Sequence, residues 1–199
     1  MKIWHSPSSP YVRKVMMAAI ELGLADKIEC VPARTPESKI AEANPLNKIP
    51  TLETDDGQIL YDSIVICEYL DSLTDKASLF PASGAGRWKT LRMHTLADGL
   101  IDAAVLRVHE TRRPEEQRNA AWDERQKTKI VRGLARLEEE IAALDGPVDI
   151  VQITTACLLG FLDRRFADDD WRADHPALAA WHAKFTTRPS VTGTEPPPL

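Results

Sequence analysis

The chain has 199 residues, of which 43% are hydrophobic and 28% charged, and its formal net charge is -5. That length buries a sizeable core in one large or two small domains. The negative charge and the lack of any extended basic stripe exclude nucleic acid and anionic membrane surfaces as partners.

Lys2 to His5 reads as a first strand, with no signal-peptide core ahead of it. The chain is therefore expected to be soluble and cytoplasmic. Ser6-Pro7-Ser8-Ser9-Pro10 breaks the strand, and Val12, Val15, Met16, Ala19 and Ile20 then recur at the spacing of one buried helical face. Gly23 stops that helix. A second strand fits Ile28 to Val31, followed by a polar loop with Pro36 and Pro45. Ile49 to Thr54 and Gln58 to Tyr61 form a hairpin around Asp55-Asp56-Gly57, residues that tolerate a positive φ. A helix opens at Asp62-Ser63 with Ile66, Tyr69, Leu70 and Leu73 on its inner face. This order of elements predicts a mixed sheet with helices packed on it.

Residues 74 to 86, rich in Ser, Ala, Gly and Asp, read as a linker, and everything beyond reads as helical. Ile130, Leu134, Leu137, Ile141 and Leu144 keep helical spacing up to the stop at Gly146-Pro147. Asp149 caps the next helix, with Gln152 placed to reach back to it as in a capping box. That apolar helix is the expected centre of a second domain. Pro176 begins a last helix, and the tail from Thr194 to Leu199 is expected to be extended and mobile. Cys30, Cys67 and Cys157 are widely spaced, so they are read as buried small hydrophobes, with no disulfide framework and no metal site. The histidines show no metal-ligand spacing either.

Four stretches then fall into place together. Ser8-Ser9-Pro10-Tyr11-Val12-Arg13-Lys14-Val15 resembles the serine motif of serine-type glutathione transferases. Asn44-Pro45-Leu46-Asn47-Lys48-Ile49-Pro50-Thr51-Leu52 resembles that family's segment before the hairpin. Asp62-Ser63 followed by Ile66-Cys67-Glu68-Tyr69-Leu70 is similar to its acidic-Ser pair and helix, and Gly160-Phe161-Leu162-Asp163 to part of its central second-domain helix. In this order they identify the chain as resembling a bacterial serine-type glutathione S-transferase over nearly its whole length. The resemblance implies an α/β thioredoxin-like N-terminal domain (residues 1–76) and an all-α C-terminal domain (residues 87–199). It implies a detoxifying homodimer that activates glutathione, its co-substrate, for attack on a small hydrophobic electrophile, without a metal. A non-catalytic ligand- or protein-binding member of the same fold is the alternative.

The chemistry follows the residues. A thiolate is the reactive form of a thiol, and a hydroxyl at a helix start can donate to it while the helix amides add positive potential. Ser9 is the expected catalytic group, with Ser6 and Ser8 near enough to compete and Tyr11 a rival hydroxyl. By resemblance Ile49-Pro50 is a cis peptide whose Ile49 backbone pairs with the cysteinyl part of glutathione. Asp62 takes the γ-glutamyl ammonium, and Ser63 the carboxylate beside it. Lys48 is the first choice for the glycyl carboxylate, with Arg34 and Asn47 as rivals. Tyr11 and Ile101, on the helix around Asp98 to Asp102, are expected at the co-substrate pocket, and Arg107, Glu110 and Arg113 lie further along it.

Overall fold

A computed structural model of the chain describes residues 1–75 and 78–198. The first strand, β1 (Lys2–His5), is followed by α1 (Pro10–Glu21) and β2 (Glu29–Pro32). A short α2 (Ile40–Ala43) precedes the hairpin β3 (Thr51–Glu53) and β4 (Ile59–Leu60), and α3 (Ser63–Ser72) closes this part. The sheet order is β2-β1-β3-β4, parallel between β1 and β2 and antiparallel elsewhere. The parallel pair is what a helical crossover such as α1 permits, and the antiparallel pair is what a tight turn permits. β1 has its expected bounds and β2 is shifted by one residue, whereas β3 and β4 are shorter than the runs that announced them, since ladder pairing, not composition, sets their ends.

Helix α1 is buried on more than one face. Val12, Val15 and Ala19 are buried as expected, but so are Lys14, Met17 and Ala18, while Met16 and Ile20 are half-buried. The reason is its position: α3 packs along it, and so do α6 (Ile150–Arg165) and α8 (Pro189–Thr192). In α3 the inner face is Ser63, Ile66, Cys67 and Leu70. Leu73, expected inside, is 44% exposed because it is already the C-cap residue. Cys30 is also exposed, against expectation, on the edge strand β2, whereas Cys67 and Cys157 are buried and their thiols are pushed up to about 12 by burial.

The helical part comprises α4 (Gly84–Thr111), α5 (Ala120–Glu139), α6, α7 (Pro176–Phe185) and α8. Helix α4 starts inside the expected linker, and the limits drawn at residues 76 and 199 lie outside the described residues. Every residue of α6 from Ile150 to Leu162 except Gly160 is buried, as a central helix requires. Gly133 allows α5 to lie against α4, because a Cβ there would come within 2.4 Å of Leu100 Cδ2. The apolar pattern after Ile130 is split: α5 ends at Glu139, and Ile141 to Leu144 form a 3-10 turn that still buries Leu144. Ile3 and Leu52 of the sheet share one hydrophobic cluster with Leu158 of α6, so the two parts share a core.

Asp149 caps α6 by accepting from the amides of Val151 (2.9 Å) and Gln152 (3.1 Å). The reciprocal half of the expected box is not formed. Gln152 is buried and its side-chain amide donates instead to the carbonyl of Leu144 at 2.9 Å, fastening the preceding turn. Loss of an N-cap costs about 1 kcal/mol. Asp149→Ala is therefore expected to lower stability by about that amount in urea unfolding, with an unchanged m-value. The tail is not loose: Thr194 Oγ1 donates to the Ser190 carbonyl at 2.7 Å, and Arg164 donates to the Pro197 carbonyl.

Candidate active site

A cleft of about 570 Å³ lies between the two parts, and seven of the expected residues line it: Ser9, Tyr11, Lys48, Ile49, Pro50, Asp62 and Ser63. Ile101 does not. It is fully buried in the core, and the wall it was expected to supply is made by Asp98, Asp102, Val105 and His109 of α4 and by its C-cap Arg112, with Val108 beside them. Apart from Val108, those positions follow one another at three- and four-residue steps, so the stripe was present in the helical periodicity one position away from Ile101.

Ser9 is the N-cap of α1. Its backbone is extended and its Oγ accepts from the Val12 amide at 3.3 Å, with Pro10 occupying the first helical position. A hydroxyl has one donor and two acceptor sites, so this cap leaves the Ser9 proton uncommitted among the described residues. Ser6 and Ser8, the neighbouring hydroxyls, lie 3.3 Å from each other. The Tyr11 hydroxyl donates to Asp102, and burial together with that carboxylate raises its pKa far above the ordinary value. Tyr11 therefore stays a neutral phenol with its proton already directed away.

The Ile49–Pro50 peptide is cis, as is Tyr61–Asp62. Asn44, 1% exposed, organises the segment ahead of it. Its amide donates to the Lys48 carbonyl (3.1 Å) and to Thr51 Oγ1 (2.9 Å), and its carbonyl accepts from the Leu46 amide (2.9 Å). Asn47 has φ 50°, a conformation asparagine tolerates better than most residues. The result is that Ile49 enters β3 with its own amide and carbonyl unpaired among the described residues, and that Lys48 and Arg34 are exposed on the same cleft. Asp62 caps α3 by accepting from the Ile64 amide at 3.0 Å through one oxygen, leaving the other open. Ser63 is only 2% exposed, and its hydroxyl makes no hydrogen bond among the described residues.

Beneath the cleft floor is a group that sequence reasoning passed over. Lys14 is wholly buried and its Nζ lies 2.7 Å from Asp98 Oδ1 and 3.3 Å from His94 Nε2. Burial and the Lys14 charge push His94 down to about 3. Asp98 and Asp102, one turn apart on α4, thus tie it to α1 through Lys14 and Tyr11. The other charges of α4 go elsewhere: Arg107 is buried against Asp123 and Asp169, Glu110 accepts from the Asn119 amide, and Arg113 donates to the Gln117 carbonyl. Among the described residues no group of three His, Cys, Asp or Glu side chains is placed to hold a metal ion, and no helix is long and apolar enough to cross a membrane.

Comparison with known proteins gives consistent results. Residues 8–73 match the glutathione S-transferase N-terminal domain and residues 120–184 the C-terminal domain. The chain is 31% identical over 202 residues to the uncharacterized GST-like protein YibF of Escherichia coli (strain K12), covering 99% of each. A glutathione transferase family member from Pseudomonas fluorescens Pf-5, solved with bound glutathione, superposes with a TM-score of 0.95 at 44% identity, over 98% of each chain. A second structure from that organism, with bound S-(propanoic acid)-glutathione, gives 0.92 at 44% identity, over 99% of this chain and 100% of the other.

Proposed function

The chain belongs to the glutathione S-transferase family, and from that premise we propose that it binds glutathione in this cleft and activates it, through Ser9, as the thiolate that attacks a hydrophobic electrophile. The observation that carries the reading is the free donor of Ser9, held at a helix start in one cleft with the unpaired Ile49 backbone and the Asp62-Ser63 pair. Glutathione is a dipolar thread, and these groups match it end to end. Asp62 has an oxygen left for the γ-glutamyl ammonium. Ser63 and the start of α3 offer donors to the adjacent carboxylate. The Ile49 amide and carbonyl can extend the sheet edge by pairing with the cysteinyl unit, and Lys48 meets the glycyl carboxylate, with Arg34 alongside.

The thiol then lies against the start of α1. A hydrogen bond to a charged group is worth about 1.5–3 kcal/mol, or roughly one to two pKa units of thiol depression. The first-turn amide of Tyr11, which has no partner among the described residues, adds a second donor at the positive helix end. Attack forms the sulfur–carbon bond as the leaving group departs with its electron pair, and holding both reactants in one cleft supplies further acceleration. We take the working unit to be a cytoplasmic homodimer acting in detoxification, in keeping with the family.

The test is to add glutathione and follow thiolate absorbance in the ultraviolet against pH. A midpoint one to two units below that of free glutathione supports the proposal. Binding without a shifted midpoint leaves a non-catalytic member of the fold, and no binding rejects the site. Asp62→Asn keeps an N-cap and removes a charge, so calorimetry should show glutathione bound about tenfold more weakly at unchanged stability.

A further inference from the structure

The far wall of the cleft carries charge that glutathione does not use. Arg112 lines it from the C-cap of α4 and Arg165 from the last residue of α6, with His109 one turn before Arg112. Neither guanidinium makes a salt bridge or a side-chain hydrogen bond among the described residues, and Arg165 Nε is buried with no partner. The cleft carboxylates nearest in sequence are occupied, Asp98 by Lys14 and Asp102 by Tyr11. Helix C-termini attract cations by about 0.3–1 kcal/mol. That attraction accounts for arginines ending both helices. It does not account for the unpartnered Arg165 Nε beside the exposed Arg112 guanidinium on one cleft, because an orphaned buried donor is costly and is normally paired.

The two charges are close enough to feel each other. Burial first, and then the Arg164 and Arg112 charges, hold the Arg165 guanidinium below its ordinary value. An anion between them would relieve both the repulsion and the unpaired donor. Val105, Val108 and Phe161 line the same cleft, with Arg165 lying 5.9 Å from the Phe161 ring. The cleft thus holds an apolar stretch of wall and two cations without hydrogen-bonded side-chain partners among the described residues. Resting on the function proposed above, we infer that Arg112 and Arg165 form an anion subsite for a carboxylate carried by the electrophile at the end of a short apolar stem, and hence by its glutathione conjugate.

Two conjugates of nearly equal shape test this by calorimetry: S-(2-carboxyethyl)glutathione and neutral S-propylglutathione. The wild-type protein should bind the carboxylate form about ten- to a hundredfold more tightly, the range expected for charge-assisted hydrogen bonds. That preference should shrink in Arg112→Met and in Arg165→Met and vanish in the double variant, while S-propylglutathione affinity stays constant and reports that the cleft is intact. In wild type alone, the preference should also fall as salt rises from low to high ionic strength. Equal affinity of wild type for the two conjugates, or a preference that survives the double substitution, overturns the subsite while leaving the glutathione site standing. Failure to bind glutathione and both conjugates overturns the functional reading and the subsite together.

Discussion

Replacing Ser9 with alanine should lower the conjugation rate at neutral pH ten- to a hundredfold and return the bound thiol to its ordinary pKa. The argument is one of proton inventory. In the cleft the Ser9 Oγ already accepts from Val12, so the one thing it can offer a sulfur is its hydrogen, and a neutral donor favours the charged form of its acceptor. Removing it takes away about 1.5–3 kcal/mol of preference for the thiolate. The loss should close at alkaline pH, where the thiol ionises unaided. Alanine also removes a helix cap, at about 1 kcal/mol, so a second variant is needed to separate the two effects. Ser9→Gly costs a cap only a few tenths of a kcal/mol, and should nevertheless be as slow as alanine, whereas Ser9→Thr keeps a hydroxyl and should recover much of the rate. The measurement is a pH–rate profile for each variant. A deficit in Ser9→Ala that is the same at every pH would mean that the hydroxyl shapes the helix and does not ionise the thiol.

What could be read from the sequence, and what could not, divides along a physical line. Ser9, Asn44 to Leu52 and Asp62-Ser63 were legible because each does a local job at a chain break, a cap or a turn, and local jobs select residue types at fixed spacing. The helical second part was legible because periodicity over long runs is a strong signal. Lys14 was not, because a lysine inside an apolar helix has no meaning until α4 is brought against it and supplies Asp98 and His94. Leu73 was read as inside by helical spacing and Cys30 by residue type, and a helix end and a sheet edge put them outside. Gln152 fitted a local capping rule, yet burial gave its amide better partners in the carbonyl-rich turn before the helix. Ile101 failed for the related reason that a helix shared between a cleft and a core presents two stripes, and the apolar one belongs to the core.

The same buried contacts set how the protein should respond to acid. His94 and His182 are 3% and 6% exposed, and burial pushes them down from 6.5 to about 3 and about 4. For His94 the Lys14 charge adds to the effect, and His182 packs edge-on to Trp171 with its Nε2 unpartnered. Both are therefore neutral when folded and take up a proton on unfolding once the pH is below about 6.5. The unfolded state then binds more protons, so stability is full above the unfolded value and is lost as pH falls toward the folded values. Between pH 7.5 and pH 5 each histidine should remove about 2 kcal/mol, roughly 4 kcal/mol together, a large share of the 5–15 kcal/mol typical of a native protein. Carboxylates held low by arginines, such as Glu21 beside Arg188, lose their contribution only in the more acidic range where free carboxyls titrate. Asp149, pushed up by burial, acts with the opposite sign. In the window above pH 5 the two imidazoles supply the loss of stability, and the raised Asp149 works against it. Urea unfolding at pH 7.5 and pH 5 should show the full drop in wild type and about half of it in His94→Gln, whose amide oxygen can still accept from Lys14 and cannot titrate. A wild-type stability that is flat across this window would mean that the folded protein admits a proton at both sites. The Lys14 contact between α1 and α4 would then not be the dry junction on which the cleft is built.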